Sequence, residues 1–203
     1  MLIAFLMLAG LALDPSPSAE LVRQPRTYAP FAQIRPVDRN CGRLIRRGTE
    51  ASQTFRHLVM SIEASDLIVY IQCGQPLRIG VVGVTRLATR AGGYRYVRVS
   101  IDHGVSGDEA VAILGHELYH VTELAAAPAV VDSAGVRELY MTLGHRTCTD
   151  DPPCFDTTAA RQAGDGVLRE LRKSANEVRR RRRVWNCTND QTQAPAESFT
   201  QRR

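Results

Sequence analysis

The chain has 203 residues, 44% of them hydrophobic, and a formal net charge of +5. That length can bury one core and leaves no room for two comfortable domains. Five basic residues sit in one run, Arg179 to Arg183; without it the chain is near neutral, which excludes an even nucleic-acid-binding surface.

The chain begins with an apolar run, Leu2 to Leu13, reading LIAFLMLAGLAL. Twelve residues suit the apolar segment of a signal peptide and fall short of the roughly 20 needed to span a bilayer. Ser16, Ser18 and Ala19 offer small residues for cleavage, so residues 1–19 are expected to be a signal peptide and the mature protein exported. No Lys or Arg precedes the run, and if uncleaved it would act as a membrane anchor.

Residues 20–48 contain three prolines in their first part and read as an extended lead-in. Over residues 49–64, Phe55, Leu58, Val59 and Ile62 recur at helical spacing. Residues 66–72, DLIVYIQ, predict a buried strand, and residues 77–84, LRIGVVGV, a second. Gly92-Gly93 predicts a turn into a third strand, in which Val97, Val99 and Ile101 face one way and Tyr94, Tyr96 and Arg98 the other. Ser106 can cap the next helix, Asp108 and Glu109 suit its positive end, and Ala127-Pro128 stops it. Asp132 or Ser133 caps another helix, which ends at Gly144. A further helix opens at residues 155–164, with Gly164 and Gly166 as possible interruptions, and residues 185–203 read as a disordered tail. The expected fold is α+β: a helix, a three-stranded antiparallel sheet, a helix rich in histidine, then C-terminal helices. The domain spans residues 49–184.

The five cysteines, Cys41, Cys73, Cys148, Cys154 and Cys187, include no C-x-x-C pair, which argues against a thiolate zinc site. In an exported protein they are expected to pair. A disulfide could close the loop between Cys148 and Cys154, Cys41 could pair with Cys73, and Cys187 is left over.

The most informative stretch is residues 113–124, ILGHELYHVTEL. On a helix, His116 and His120 lie one turn apart on one face, so both imidazoles can reach one ion. Zinc accepts two imidazoles and leaves room for a carboxylate and a water. Glu117 is rotated by about 100° from His116, which suits a base taking the proton of a zinc-held water better than a ligand. Composition predicts only about 0.006 chance occurrences of H-E-x-x-H in this chain. Val111, Leu114, Leu118 and Val121 form an apolar stripe that buries the helix on another side.

GHELYH resembles the active helix of the zincin metallopeptidases, and the order helix, strands, H-E-x-x-H helix is similar to the upper half of their catalytic domain. The resemblance covers residues 49–127, with the five motif positions specific. It implies that His116 and His120 are zinc ligands and Glu117 the general base. Glu123 and Ala126 stand where the metzincins continue with glycine and a third histidine, so the chain looks like the gluzincin or aspzincin subgroups instead.

The third ligand must come from elsewhere. Glu123 lies about 10 Å along the helix axis from His116, which favours a supporting role: accepting the second N–H of a ligating histidine. Glu138 has a spacing similar to that of the gluzincin ligand, yet Val136, Leu139, Tyr140 and Leu143 cluster on the opposite side of its helix. Asp156 falls within the arc of Phe155, Ala159, Ala160 and Ala163 and is preferred, the alternative being that Asp156 or Thr157 only caps the helix. Tyr119, Tyr140 and His145 are available as donors to an oxyanion, and His145 is also a possible ligand. His57 and His103 have no supporting context.

Two functions are carried forward. One is an exported zinc hydrolase, a metallopeptidase acting on peptide or protein. The other is a non-enzymatic exported metal-binding or interaction module. The Arg179–Arg183 run could add a weak, salt-dependent contact with an anionic surface, or be a solvated helix end.

Overall fold

Strand β1 (Ile34–Pro36) and helix α1 (Arg39–Ala51) begin the part of the chain that the computed structural model describes, residues 32–148 and 154–190, with side chains through 182. Asp38 accepts the Cys41 N–H at 2.9 Å and starts α1, whose buried residues Cys41, Ile45 and Gly48 form a narrow stripe. Ser52 ends α1 and caps α2 (Gln53–Glu63) by accepting the Phe55 N–H at 3.0 Å. A Cβ on Gly48 would stand 2.7 Å from the Phe55 ring, so the two helices meet where α1 has no side chain.

Four strands form one sheet in the order β1-β2-β4-β3. Strands β2 (Leu67–Gln75) and β4 (Tyr94–Asp102) lie side by side in parallel, β1 joins β2 in parallel, and β3 (Gly83–Ala91) is antiparallel to β4 at the edge. A parallel neighbour requires a crossover, which α1 and α2 supply between β1 and β2. Leu67, Val69, Ile71, Val97, Val99 and Ile101 face the helices and are buried. Behind them lies α3 (Gly107–Ala125), with Val111, Leu114, Leu118 and Val121 fully enclosed. Helix α4 (Ser133–Leu143), the small hairpin β5 (His145–Arg146) and β6 (Phe155–Asp156), and α5 (Thr158–Asp190) complete the fold.

Arg95 is the one arginine in the core among the described residues, with no exposed surface. Its Nε and Nη2 donate to Asp66 at 2.8 and 2.7 Å, and its Nη1 to the carbonyls of Leu124, Ala127 and Val130. A buried guanidinium is tolerated because its donors are matched, and here they also tie the end of α3 to the turn that follows it, through the carbonyls of Leu124, Ala127 and Val130.

The α+β class agrees with the sequence reading, but several details differ. The extended lead-in expected over residues 20–48 is replaced from residue 34 onward by β1 and α1, whose stripe of one cysteine, one isoleucine and one glycine carries little apolar signal. The sheet is mixed and four-stranded, not three-stranded and antiparallel. The strand expected at residues 77–84 begins only at Gly83. Ser106 takes the N-cap position of α3 without a side-chain cap bond. Gly164 and Gly166 do not break α5, which runs on to Asp190, into the segment read as a disordered tail. Residues 1–31, with the expected signal peptide, and residues 191–203 lie outside the described residues.

Two disulfides join Cys41 to Cys73, tying α1 to β2, and Cys148 to Cys154, closing the β5–β6 loop. They fit an oxidising, exported environment. No helix among the described residues is long and apolar enough to cross a membrane. Thiol titration of denatured, unreduced protein should find one free thiol per chain, Cys187. Five free thiols in protein from its native host would contradict the oxidising compartment.

Candidate metal centre

The site is built where α5 crosses α3. A Cβ on Gly164 would meet the Ala112 carbonyl and the His116 Cβ at 3.2 Å, and one on Gly115 would meet Val167 at 2.8 Å. Ala160 and Ala163 are also buried on this face. Small residues therefore let the helices approach closely, and that approach brings the strand just before α5 against the histidine pair.

Three donor atoms converge there. His116 Nε2 and His120 Nε2 are 3.2 Å apart, and Asp156 Oδ1 lies 3.3 Å from the first and 3.5 Å from the second. Among the described residues these three form the group able to hold a metal ion. Asp156 does not sit on a helix, as the sequence suggested; it ends β6, and Thr157 caps α5 by accepting the Ala160 N–H at 3.1 Å. The other Asp156 oxygen accepts from Arg161 Nε at 2.6 Å, which fixes the carboxylate's orientation. Glu138 is exposed on α4 and stands outside the group. His145 pairs across the hairpin with Asp156 but is exposed and bonded to Arg161, and His57 and His103 are exposed.

His120 is held from behind. His120 Nδ1 meets Glu123 Oε2 at 2.7 Å, and Glu123 Oε1 accepts from the Thr157 hydroxyl at 2.7 Å. This bond turns His120 Nε2 toward the centre as a potential ligand atom. Tyr140 is buried against His120, donates to the His120 carbonyl at 3.2 Å and stacks on Phe155. It braces the site from within, its hydroxyl engaged by the backbone of α3.

Glu117 is 5% exposed. Its Oε2 accepts from the Thr85 hydroxyl at 2.7 Å, and a Cβ on Gly83 would meet its Oε1 at 2.6 Å. Strand β3 therefore supplies both a donor that orients the carboxylate and the space it occupies. No sequence signal marks Thr85, Gly83, Thr157 as a partner of Glu123, or Arg161, because each depends on a strand register or helix crossing that links distant segments. His116, His120, Glu117, Glu123 and Asp156 are the site residues that helical spacing alone brings forward.

The electrostatics favour a cation at the centre. Burial works against a charge on His120, but its bonds to Asp156 and Glu123 outweigh this and raise its pKa to about 9. His116 is lowered by burial and by the neighbouring positive His120. Burial would raise Asp156 and Glu123, yet their bonds to His120, with Arg161 on Asp156 and Thr157 on Glu123, hold both below the usual carboxylate range. Burial pushes Glu117 up to about 7. Two ionised carboxylates thus surround a position where His120 keeps a proton in the absence of a metal.

Family models, curated proteins and solved structures were compared with the chain. None matches it. The chemistry of the site therefore rests on its own residues.

Proposed function

We propose that this chain is an exported zinc-dependent hydrolase of zincin type, acting on peptide bonds. The observation that carries the reading is the donor triangle of His116, His120 and Asp156, with edges of 3.2, 3.3 and 3.5 Å. Tetrahedral zinc with ligands at about 2.0–2.2 Å would separate its donors by about 3.3–3.6 Å, so the triangle fits the ion with little rearrangement. When bound, zinc supplies a Lewis acid that polarises a carbonyl and acidifies water.

The chain's own residues have separate tasks in this reading. His116, His120 and Asp156 hold the ion; Glu123 and Thr157 keep His120 in the ligating tautomer. Glu117 accepts the proton of the attacking water and passes it to the leaving amine, which a pKa raised to about 7 suits at neutral pH. Thr85 holds its carboxylate in place. A peptide substrate is supported by β3, an edge strand whose Gly83 and Thr85 lie against Glu117. An extended peptide could add to that edge by backbone hydrogen bonds. The order of helices, strands and H-E-x-x-H helix supports the zincin likeness, and the disulfides support export. A metal-binding module without catalysis is the second reading, favoured by the burial of Glu117, which limits the access of water to its carboxylate.

Zinc and pH together test the metal. In the metal-free chain the raised His120 pKa means that its contribution to stability is complete below about 6.5 and is lost as pH rises through about 9. Glu117 acts in the same direction between about 4.5 and 7. The melting temperature without zinc should therefore fall from pH 6.5 to 9. Zinc must displace the His120 proton, so its affinity should rise up to tenfold per pH unit over that range, and the stabilisation it gives should grow. Thermal unfolding with and without zinc measures both trends. A melting temperature indifferent to zinc at every pH would exclude the site.

A further inference from the structure

On the face of the sheet turned away from α3, four residues stand in one transverse row. The register sets Arg35 opposite Tyr70, Tyr70 opposite Arg98, and Arg98 opposite Arg86. All four are exposed. With strands about 4.8 Å apart, the row crosses the sheet in about 14 Å. Arg35 donates to the Tyr70 hydroxyl at 3.1 Å, and its guanidinium lies 5.7 Å from the Tyr70 ring centre.

Arg86 and Arg98 form a cross-strand pair of like charge, an arrangement that destabilises a sheet. Among the described residues neither is joined to a carboxylate. The row on one side carries Ile68, Tyr96 and Thr89, and the row on the other Gln72, Ser100 and Val84, so three consecutive rows hold no acidic side chain. Protecting the sheet edge from pairing would require a charge on β3 alone. It does not account for Arg98, which lies on an internal strand.

We propose that this row docks the protein on an anionic phospholipid surface. Arg35, Tyr70, Arg98 and Arg86 are exposed in one row across the sheet, an arrangement that a flat partner fits. Paired guanidiniums clasp phosphate oxygens by charge-assisted hydrogen bonds. Tyr70, Tyr94 and Tyr96 provide rings with an apolar body and a polar tip, which suit the depth of the headgroups. The two disulfides fit an exported chain, for which a membrane leaflet is the standing polyanion rather than nucleic acid. The contact is peripheral and separate from the metal centre, because Gly83 and Thr85, which touch Glu117, face the opposite side of the sheet.

The test is co-sedimentation of the full chain with phosphatidylcholine–phosphatidylglycerol vesicles and with pure phosphatidylcholine vesicles, at low and high salt. The chain should bind only the anionic vesicles, and high salt should release it. The double variant R86Q/R98Q should bind about 30-fold more weakly, or about fivefold per arginine, while keeping its circular dichroism and melting no lower than the wild type, since the like-charge pair is relieved. A variant with Arg179–Arg182 changed to glutamine separates the two basic regions: full loss of binding there, with R86Q/R98Q unaffected, overturns the proposal. Failure of the wild type to bind anionic vesicles at low salt overturns it too. So does a single-stranded oligonucleotide that binds more tightly than the vesicles and is lost in R86Q/R98Q.

Discussion

Glu117→Gln protein should bind zinc like the wild type and hydrolyse peptides at least ~100-fold more slowly, the lower end of the range for general acid–base catalysis. The amide keeps the shape of the side chain and can still accept the Thr85 hydroxyl, so the α3–β3 contact survives. What it loses is the proton acceptor. The measurement is cleavage of a mixed peptide pool followed by mass spectrometry, with a chelator control and a parallel zinc determination. Cleavage that survives both the substitution and the chelator identifies a contaminating protease or another site. A zinc-loaded wild type that cleaves nothing in the pool favours the metal-binding module.

Asp156→Asn should weaken zinc binding by at least about 100-fold, whereas Glu138→Gln should leave it unchanged. Structural zinc sites bind with about 10–16 kcal/mol shared among four ligands, so one charged ligand is worth roughly 3 kcal/mol. Asp156 Oδ1 lies 3.3 Å from His116 Nε2, while Glu138 is exposed on another helix. Competition against a chromophoric chelator gives both affinities. The reverse ranking would return the third ligand to α4.

What could be read from the sequence follows the range of the interactions involved. The histidine pair, Glu117 and the apolar stripe of α3 were legible because helix geometry relates residues three and four apart. The alternation of Val97, Val99 and Ile101 with Tyr96 and Arg98 was legible for the same reason in a strand. Helix α1 was not, because its inward stripe is Cys41, Ile45 and Gly48 among arginines and other polar residues. The parallel pairing of β2 with β4 was hidden because it depends on β3 being displaced to the edge. Asp156 was selected for helical reasons, but it reaches the centre from β6, and the contacts that bring it there are Gly164 against Ala112 and Gly115 against Val167. A glycine in a helix reads as a weakness in sequence; only the partner helix shows that it is a point of approach.

The close crossing of α3 and α5 also orders events during synthesis. His116 and His120 leave the ribosome 40 and 36 residues before Asp156, and Gly164 with the alanines of α5 follows in the same late stretch. A nascent chain therefore presents an incomplete chelate, two imidazoles without their carboxylate, until its C-terminal helix has emerged and folded back. Metal acquisition at this site would then be a late step of maturation, and a chain truncated before α5 would retain the motif without the three-donor group.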